Sequence, residues 1–371
     1  MNMGTNCARR SSLFAGFLAT AVAFLGAAEA SAQNVPAAPA PRAATGQMNV
    51  LFIMADDYRF ELSAFRSPAL PPNLDRLAAR GVTFQRAYCQ QAVCNPSRSS
   101  MLTGLRPDTL GLWCNSIHFR ELKPDVVTLP EQFKRHGYET RNVGKIFHNW
   151  HTKEHGDARS WSAPEYLHYA NHGDDKPQME GKLPPSAATA PRCERVDVPD
   201  AAYYDGRVAD EAVRVLQTLS GKPFFLAVGF WKPHAPFNAP SRYWELYDRA
   251  LLPKAITEPP INGPEIALHP SSEILGAGPN RVTPTPADIA EMRHGYFANI
   301  AYMDQQVGKV LAALDQTGLA ASTIVVFVSD HGYHIGEHGL WGKTSCYELD
   351  ARVPLIISMP GNRNVGVASD S

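Results

Sequence analysis

The chain has 371 residues, a formal net charge of −1 and 19% charged residues, below the roughly 25% typical of soluble domains. This near-neutral balance argues against a nucleic-acid-binding protein, which is normally basic. Hydrophobic residues make up 44% of the chain, which is enough for a large buried core.

The N-terminus has the pattern of a signal peptide. Arg9 and Arg10 precede an apolar run from Leu13 to Ala28, and the small residues Ala30-Ser31-Ala32 follow as a cleavage site. A membrane anchor is the alternative, but the run is short for a bilayer span, and no later segment is apolar enough for one. We therefore predict a cleaved signal peptide at 1–32, a flexible leader at 33–46, a folded domain at 47–371, and a periplasmic or secreted protein.

From residue 49 onward, apolar runs alternate with helical patterns. The runs of strand type are 49–54, 138–143, 223–229, 323–328 and 353–359. The helical segments, several of them followed by a glycine, are 73–80, 97 onward, 129–136, 207–219 and 300–314. Strands alternating with helices predict an α/β fold, with one large, mostly parallel sheet sandwiched by helices.

Two long stretches interrupt this alternation. Residues 151–199 are polar and aperiodic, and residues 253–286 are rich in proline and glycine. Long loops of this kind are usually functional, so we interpret them as walls of a substrate cleft, with surface insertions as the alternative. The histidines of the first stretch are expected to be solvated; they are His151, His155, His168 and His172.

Polar residues follow three of the predicted strands. Asp56 and Asp57 follow the first, Lys232 and His234 come after the third, and Asp330 and His331 follow the fourth. Ligands in open α/β sheets bind beyond the carboxyl ends of the strands. Three aspartates meeting there would need a cation, and their oxygens suit Ca²⁺ or Mg²⁺. An Asp-Asp pair alone would more often be a turn or a helix cap.

The stretch "CNPSRSSMLTG", from Cys94 to Gly104, places a cysteine before a helix predicted to open near Ser97. Backbone N–H groups at such a helix start, together with Arg98, would suit a tetrahedral anion. Lys145 and His148 in "GKIFH" follow a strand and can face the same pocket. The residues alone leave Cys94 open as half of a disulfide, a buried thiol, a nucleophile or the precursor of another group.

Six ordered motifs resemble those of type I sulfatases, members of the alkaline-phosphatase superfamily. They are "CNPSRSSMLTG", "ADD", "PNLDRLAARGVTFQRAYC", "GKIFH", "KPHAPF" and "SDHGYHIGEHGLWGK". "GKIFH", "KPHAPF" and the histidine of "SDHG" are most similar to the iduronate-2-sulfatase branch. The resemblance covers residues 48–361 and implies the same α/β fold as the periodicity.

The resemblance also implies a cofactor and a reaction. In this family a formylglycine-generating enzyme oxidises the motif cysteine to Cα-formylglycine, recognising the proline and arginine beside it. The hydrated aldehyde then attacks the sulfur of a sulfate ester, with Asp330 as the base. The family pattern places the metal, most readily Ca²⁺, with Mg²⁺ as the alternative, on Asp56, Asp57, Cys94, Asp330 and His331.

The remaining roles follow from the same resemblance. The cations that would neutralise the transferring group are Arg98, Lys145, Lys232 and Lys343. His234 or Lys343 would protonate the leaving alcohol, and His148 would deprotonate the second hydroxyl and so release sulfate. His334 and His338 lie in the last motif without an assigned role.

Members of this family usually continue after the strand that ends near residue 359. We therefore expect residues 47–371 to be the N-terminal part of a sulfatase catalytic domain, with the C-terminal subdomain missing. The expected substrate is a sulfated sugar. Two alternatives stay open, namely a phosphate or phosphonate ester hydrolase of the same superfamily and an inactive sulfatase-like binding fragment.

Overall fold

The computed structural model describes residues 46–63, 67–148, 151–170, 172, 175, 192–219, 221–269, 272–276 and 281–370. The predicted signal peptide at 1–32 and all but the last residue of the predicted leader at 33–46 lie outside this part of the chain. Within it, no helix is both long and apolar enough to span a membrane.

Eleven strands occur in the described ranges, seven of them in one sheet. They are β1 (Asn49–Asp56), β2 (Val82–Phe84), β3 (Glu139–Gly144), β4 (Cys193–Val196), β5 (Phe224–Pro233), β6 (Phe237–Pro240), β7 (Thr323–Ser329), β8 (His334–Ile335), β9 (Trp341–Gly342), β10 (Leu355–Ser358) and β11 (Val367–Ser369). The large sheet has the order β11-β2-β10-β7-β1-β5-β3. Its four adjacent strands β7, β1, β5 and β3 are parallel, whereas β10 is antiparallel to both of its neighbours. The predicted mixed, mostly parallel sheet is therefore confirmed.

The helices fall on both faces of this sheet. They are α1 (Pro72–Ala79), α2 (Cys94–Thr103), α3 (Pro107–Leu110), α4 (Phe119–Leu122), α5 (Leu129–Arg135), α6 (Tyr204–Thr218), α7 (Ser241–Trp244), α8 (Ser272–Leu275), α9 (Pro286–Gln316) and α10 (Glu348–Ala351). Side chains of α6 and α9 pack in the larger hydrophobic cluster on one face, and those of α2 and α5 contribute to a second cluster on the other.

Strand β1 shows why its sequence is apolar throughout. Leu51 and Ile53 point into the α6 and α9 cluster, whereas Phe52 and Met54 point into the opposite cluster. Successive side chains of a strand face opposite ways, so a strand covered on both faces needs hydrophobic residues at every position. This places β1 in the middle of the parallel set, where its carboxyl end lies between those of β5 and β7.

Helix α2 begins earlier than predicted. Its first residue is Cys94 rather than a residue near Ser97, and Val93 precedes it in an extended conformation. Pro96 is the third residue of the helix, a position where the missing N–H costs no helical hydrogen bond. Cys94 thus lies within the rigid first turn of the helix.

Gly144, the last residue of β3, lies unusually close to the backbone of the neighbouring strand β5. Its φ is +86°, and a Cβ built on it would overlap the carbonyl oxygen of Gly229 on the neighbouring strand β5. The backbones of β3 and β5 can approach here only because neither glycine has a side chain.

We predict that Gly144→Ala lowers the free energy of unfolding by about 3 kcal/mol, because it adds steric overlap to an unfavourable φ. The matched control is Gly137→Ala, since Gly137 has a φ of +84° but open space around its Cβ position. That control should lose only about 1 kcal/mol. Urea unfolding monitored by circular dichroism measures both, and equal losses would contradict the steric account.

Candidate active site

The four parallel strands deliver polar side chains to one edge of the sheet. Because β3, β5, β1 and β7 are neighbours and run in the same direction, their carboxyl ends meet there. The predicted site residues that arrive on or just after these ends are Asp56, Asp57, Lys145, His148, Lys232, His234, Asp330 and His331. All eight are buried.

Cys94 lies at the centre of this edge. Its Sγ is 3.4 Å from His331 Nε2 and 3.7 Å from Asp56 Oδ1, and the residue is only 1% exposed. A group at this position is held between a strand end on β1 and the loop that follows β7, while the helix fixes its backbone.

The start of α2 offers less to an anion than the sequence suggested. The N–H of Asn95 donates to Asn115 Oδ1 at 3.1 Å, and the N–H of Ser97 donates to the carbonyl of Val93 at 3.0 Å. Pro96 has no N–H. The prediction of free backbone donors near Ser97 is therefore wrong, because Asn115 and Val93 already accept from the N–H groups of Asn95 and Ser97, and the side-chain cations must attract an anion instead.

Arg98 joins two of the aspartates. Its Nε donates to Asp330 Oδ2 at 2.8 Å and its Nη2 donates to Asp56 Oδ1 at 3.1 Å, while Nη1 donates to the carbonyls of Lys145 and Ile146 at 2.7 and 3.0 Å. The guanidinium is fully buried. Its planar fork therefore sets the separation of the two carboxylates and ties both to the end of β3.

Asp56 and Asp57 respond differently to burial. Burial by itself would raise the pKa of Asp56, but the adjacent charges of Lys145 and Arg98 hold it well below its usual value. Burial raises the pKa of Asp57 well above its usual value, although Lys343 and His331 oppose the shift. Asp57 also has a φ of +66°, which turns the chain after β1 so that both carboxylates face the same pocket.

The donor set fits a divalent cation. Ligand atoms of Asp56, Cys94, Asp330 and His331 lie within 4.8 Å of one another. Arg98, Lys145 and Lys343 partly balance the charge of the buried carboxylates. Buried carboxylate oxygens are the ligands that Ca²⁺ and Mg²⁺ prefer, and a bound cation would remove the cost of crowding them.

Lys343 and His234 form the opposite wall of the pocket. Lys343 Nζ is 3.0 Å and 3.2 Å from the two Asp57 oxygens, and His234 Nε2 is 3.6 Å from Asp57 Oδ2. Both groups also contact Glu273 Oε1, at 3.0 Å for Lys343 and 3.4 Å for His234. The Glu273 side chain is 34% exposed, so it marks the direction in which the pocket opens toward solvent.

Glu273 and His172 were not predicted as site residues. Glu273 lies on α8 within 253–286, a stretch predicted as a cleft wall without indicating which side chain would matter. The expectation that His172 is solvated is wrong. Its Nε2 is 3.3 Å from Asp56 Oδ2 and 3.0 Å from Lys145 Nζ, and its ring stacks on that of His234 with centroids 3.5 Å apart.

Two predicted residues have partners of their own at the periphery. Lys232 Nζ lies 3.1 Å from Asp175 Oδ2 and donates to the carbonyl of Pro236 at 2.9 Å, so its charge is already compensated. His148 Nε2 is 3.1 Å from His151 Nδ1, and burial lowers the pKa of His148 well below its usual value. The His148 imidazole is therefore neutral at this position.

We predict that Arg98→Ala lowers the free energy of unfolding of the metal-free protein by about 3–5 kcal/mol, because two buried carboxylates lose their shared counter-charge. Added Ca²⁺ should restore part of this loss if the cation takes over that charge. Arg80→Ala is the control, since Arg80 pairs with Asp315 at an exposed position and should change stability by less than about 1 kcal/mol. Denaturant unfolding with and without Ca²⁺ measures both variants, and similar losses would contradict this account.

Comparisons with known proteins agree with this geometry. Iduronate 2-sulfatase of Mus musculus is 40% identical over 337 residues, covering 86% of this chain and 60% of that protein. The Homo sapiens iduronate 2-sulfatase is 37% identical over 334 residues, covering 85% and 60%. The chain thus spans about 60% of the length of these two relatives.

Among solved structures, the phosphonate monoester hydrolase of Agrobacterium radiobacter matches with a TM-score of 0.68 and 23% identity, covering 87% of this chain and 70% of that one. This likeness shows the shared fold. The family model described as Sulfatase matches residues 48–369, which include every strand and helix that forms the site. The chain therefore belongs to the sulfatase family.

Proposed function

We propose that this chain is a sulfuric ester hydrolase that removes sulfate from a sulfated sugar. The observation that supports this most is the position of Cys94, which lies among Asp56, Asp330 and His331 in a buried pocket. A family cysteine at this position is the precursor of Cα-formylglycine. We infer the same modification here, together with a divalent cation, most readily Ca²⁺.

Formylglycine and the divalent cation would each supply one kind of chemistry. Formylglycine, as its hydrate, supplies a nucleophile with a second hydroxyl through which sulfate can be released. The metal ion supplies Lewis acidity toward the sulfate oxygens, and Asp56, Asp57, Asp330 and His331 would hold it. The protein's part is to keep these groups dry, fixed and surrounded by the right charges.

The chain's own residues account for orientation and charge. Arg98 fixes the carboxylates of Asp56 and Asp330. The ammonium groups of Lys145 and Lys343 each contact one carboxylate of the pair Asp56 and Asp57, so the pocket presents cations around its acidic centre. A sulfate ester brought to Cys94 would meet positive charge on both sides, which stabilises negative charge as it develops on the transferring group.

His234 and Lys343 are the candidates for protonating the leaving alcohol. They converge on Glu273 at the open side of the pocket, where the sugar portion of a substrate would lie. The two groups therefore line the path along which an alcohol must depart.

The substrate class rests on the relatives. Two proteins named iduronate 2-sulfatase are 40% and 37% identical to this chain, and we infer a sulfated uronic acid or a similar sulfated sugar unit as the substrate. His172 and Glu273, which contact residues of the pocket, are the side chains that would help to select it.

The burial of Cys94 implies that formylglycine formation would precede folding. Cys94 is 1% exposed, and both Pro96 and Arg98 are buried within α2. A modifying enzyme that recognises these residues cannot reach them in the folded domain. We therefore propose a formylglycine-generating enzyme that acts on the nascent or unfolded chain, before or during export.

We predict that protein co-expressed with a formylglycine-generating enzyme carries an aldehyde at residue 94 and hydrolyses p-nitrophenyl sulfate. Peptide mass spectrometry detects the conversion, and a chelator should abolish turnover. Cys94→Ser should retain the fold but not turn over, because a serine sulfate ester has no second hydroxyl. Cys94→Ala is its matched control, with no nucleophile at all.

Several outcomes would overturn this proposal. Full activity with an unmodified thiol would exclude the aldehyde mechanism. Faster hydrolysis of p-nitrophenyl phosphate than of the sulfate would favour a phosphate or phosphonate ester hydrolase. Complete conversion of residue 94 in a folded protein that is inactive on both esters would favour an inactive binding fragment.

We predict that His234→Ala lowers kcat/KM for a sulfated sugar by about 100- to 10,000-fold, the usual contribution of a general acid. The loss should be much smaller for p-nitrophenyl sulfate, because p-nitrophenolate departs without a proton. His136→Ala is the control, since His136 is an exposed histidine that follows α5. Equal losses on both substrates would contradict the acid role and indicate a defect in binding or folding.

A further inference from the structure

Lys232 is a buried cation whose ammonium group is engaged by the chain itself. It lies near the end of β5, and its side chain is 1% exposed. Lys232 Nζ forms an ion pair with Asp175 Oδ2 at 3.1 Å, and it donates hydrogen bonds to the carbonyl oxygens of Pro236 and His234 at 2.9 and 3.4 Å. An ammonium group has three N–H donors. These three contacts therefore commit Lys232 to the protein rather than to a sulfate oxygen.

Asp175, the partner of Lys232, is anchored to three elements of the fold. Its Oδ1 accepts a hydrogen bond at 2.9 Å from the backbone N–H of Tyr204, the first residue of α6. Its backbone carbonyl accepts a hydrogen bond from the side chain of Asn238 on β6, and its Oδ2 faces Lys232 on β5. Asp175 is only 1% exposed. This residue of the stretch 151–199 is thus a fixed point of the structure.

Asp175 in turn tethers His172. The N–H of Asp175 donates to the carbonyl of His172 at 3.1 Å. The His172 ring stacks on that of His234, with centroids 3.5 Å apart and 11° between the ring planes. It also meets the Trp231 ring edge to face at 4.8 Å. His172 is therefore held from its backbone by Asp175 and from its ring by two side chains of the β5 end and the turn after it.

The backbone that carries Lys232 is fixed as well. Asp205, the second residue of α6, accepts the N–H of Trp231 at 2.7 Å and that of Lys232 at 3.1 Å, one on each carboxylate oxygen. Asp205 is fully buried. Lys232 thus reaches its partners from a rigid base, which suits a structural tie better than a mobile arm that follows a substrate.

We propose that Lys232 and Asp175 are positioning residues that hold His172 against His234. Lys232 touches both sides of this contact, namely the turn that carries His234 and the carboxylate that tethers His172. The role rests on the proposed sulfatase reaction, in which His234 is a candidate for protonating the leaving alcohol. A misplacement of about 1 Å can slow a reaction by about 100-fold, so a group that fixes the His234 ring matters without touching the substrate.

The first test compares two leaving groups in Lys232→Met, which removes the charge but keeps an extended side chain. We expect kcat for a sulfated sugar to fall by about 10- to 100-fold, because the ring that protonates the alcohol is misplaced. For p-nitrophenyl sulfate the loss should stay below about 3-fold, since p-nitrophenolate departs without a proton. Equal losses on both esters would overturn the proposal and assign Lys232 to the sulfate group itself.

A double-mutant cycle with His234→Ala tests whether Lys232 acts through His234. In that background Lys232→Met should change kcat for the sulfated sugar by less than about 2-fold, because residues that act as a unit are not additive. A full additional loss would contradict the positioning role. Lys309→Met is the matched control, since Lys309 pairs with Asp210 at an exposed position, and it should leave the turnover of both esters unchanged.

Asp175→Asn provides a second variant if circular dichroism shows that Lys232→Met does not fold. It removes the negative charge beside Lys232 but keeps an oxygen that can accept the N–H of Tyr204. The same selective loss on the sulfated sugar is expected. Unchanged kcat on both esters would show that the ion pair does not position His172 and would overturn the proposal.

A crystal structure of the folded variant gives a readout that needs no activity. In Lys232→Met or Asp175→Asn, the rings of His172 and His234 should no longer stack as they do in the unaltered chain. Retained stacking would overturn the proposal. If the unaltered chain hydrolyses no sulfate ester, the proposed function fails instead, and the ring geometry still decides whether Lys232 and Asp175 hold the two histidines together.

Discussion

The structure depends on keeping three aspartates close together in the protein interior. Asp56, Asp57 and Asp330 lie beyond the ends of neighbouring strands, where water cannot screen them. Arg98 compensates two of them and Lys343 the third. These ion pairs fix where a cation and the group at Cys94 can be held, so the same electrostatic constraint governs both the stability of the edge and its proposed chemistry.

The fold satisfies this constraint through the direction of its strands. Parallel strands bring their carboxyl ends to one edge of the sheet. The hydrophobic side chains of these strands are buried in clusters on both faces of the sheet. Rigidity follows from the close approach of β3 and β5 at Gly144 and from the first helical turn that contains Cys94. His172 and Glu273, from the described parts of the stretches 151–199 and 253–286, contact residues of this edge, and differences at such positions can change the substrate without changing the centre.

Most of the sheet and most of the centre follow from local sequence. Continuous apolar runs predict buried parallel strands, and the aspartates and histidines directly after them must lie at the sheet edge. Helix α2 begins three residues before the predicted position near Ser97, because a proline such as Pro96 fits the first helical turn. The expected anion site made of backbone N–H groups is not found, because the N–H groups of Asn95 and Ser97 donate to Asn115 and Val93.

The sequence by itself determined strands β1, β3, β5, β7 and β10 and the polar residues that follow β1, β5 and β7, because these depend on periodicity and on direct neighbours in sequence. Only the tertiary structure decided that His172 stacks on His234, that Glu273 contacts Lys343, and that His269 approaches His334. Each of these contacts joins residues from aperiodic segments to distant positions in the chain. Such segments have no repeating pattern to indicate which side chain faces inward, so their contacts are set by how the loops fold back over an edge that is already formed.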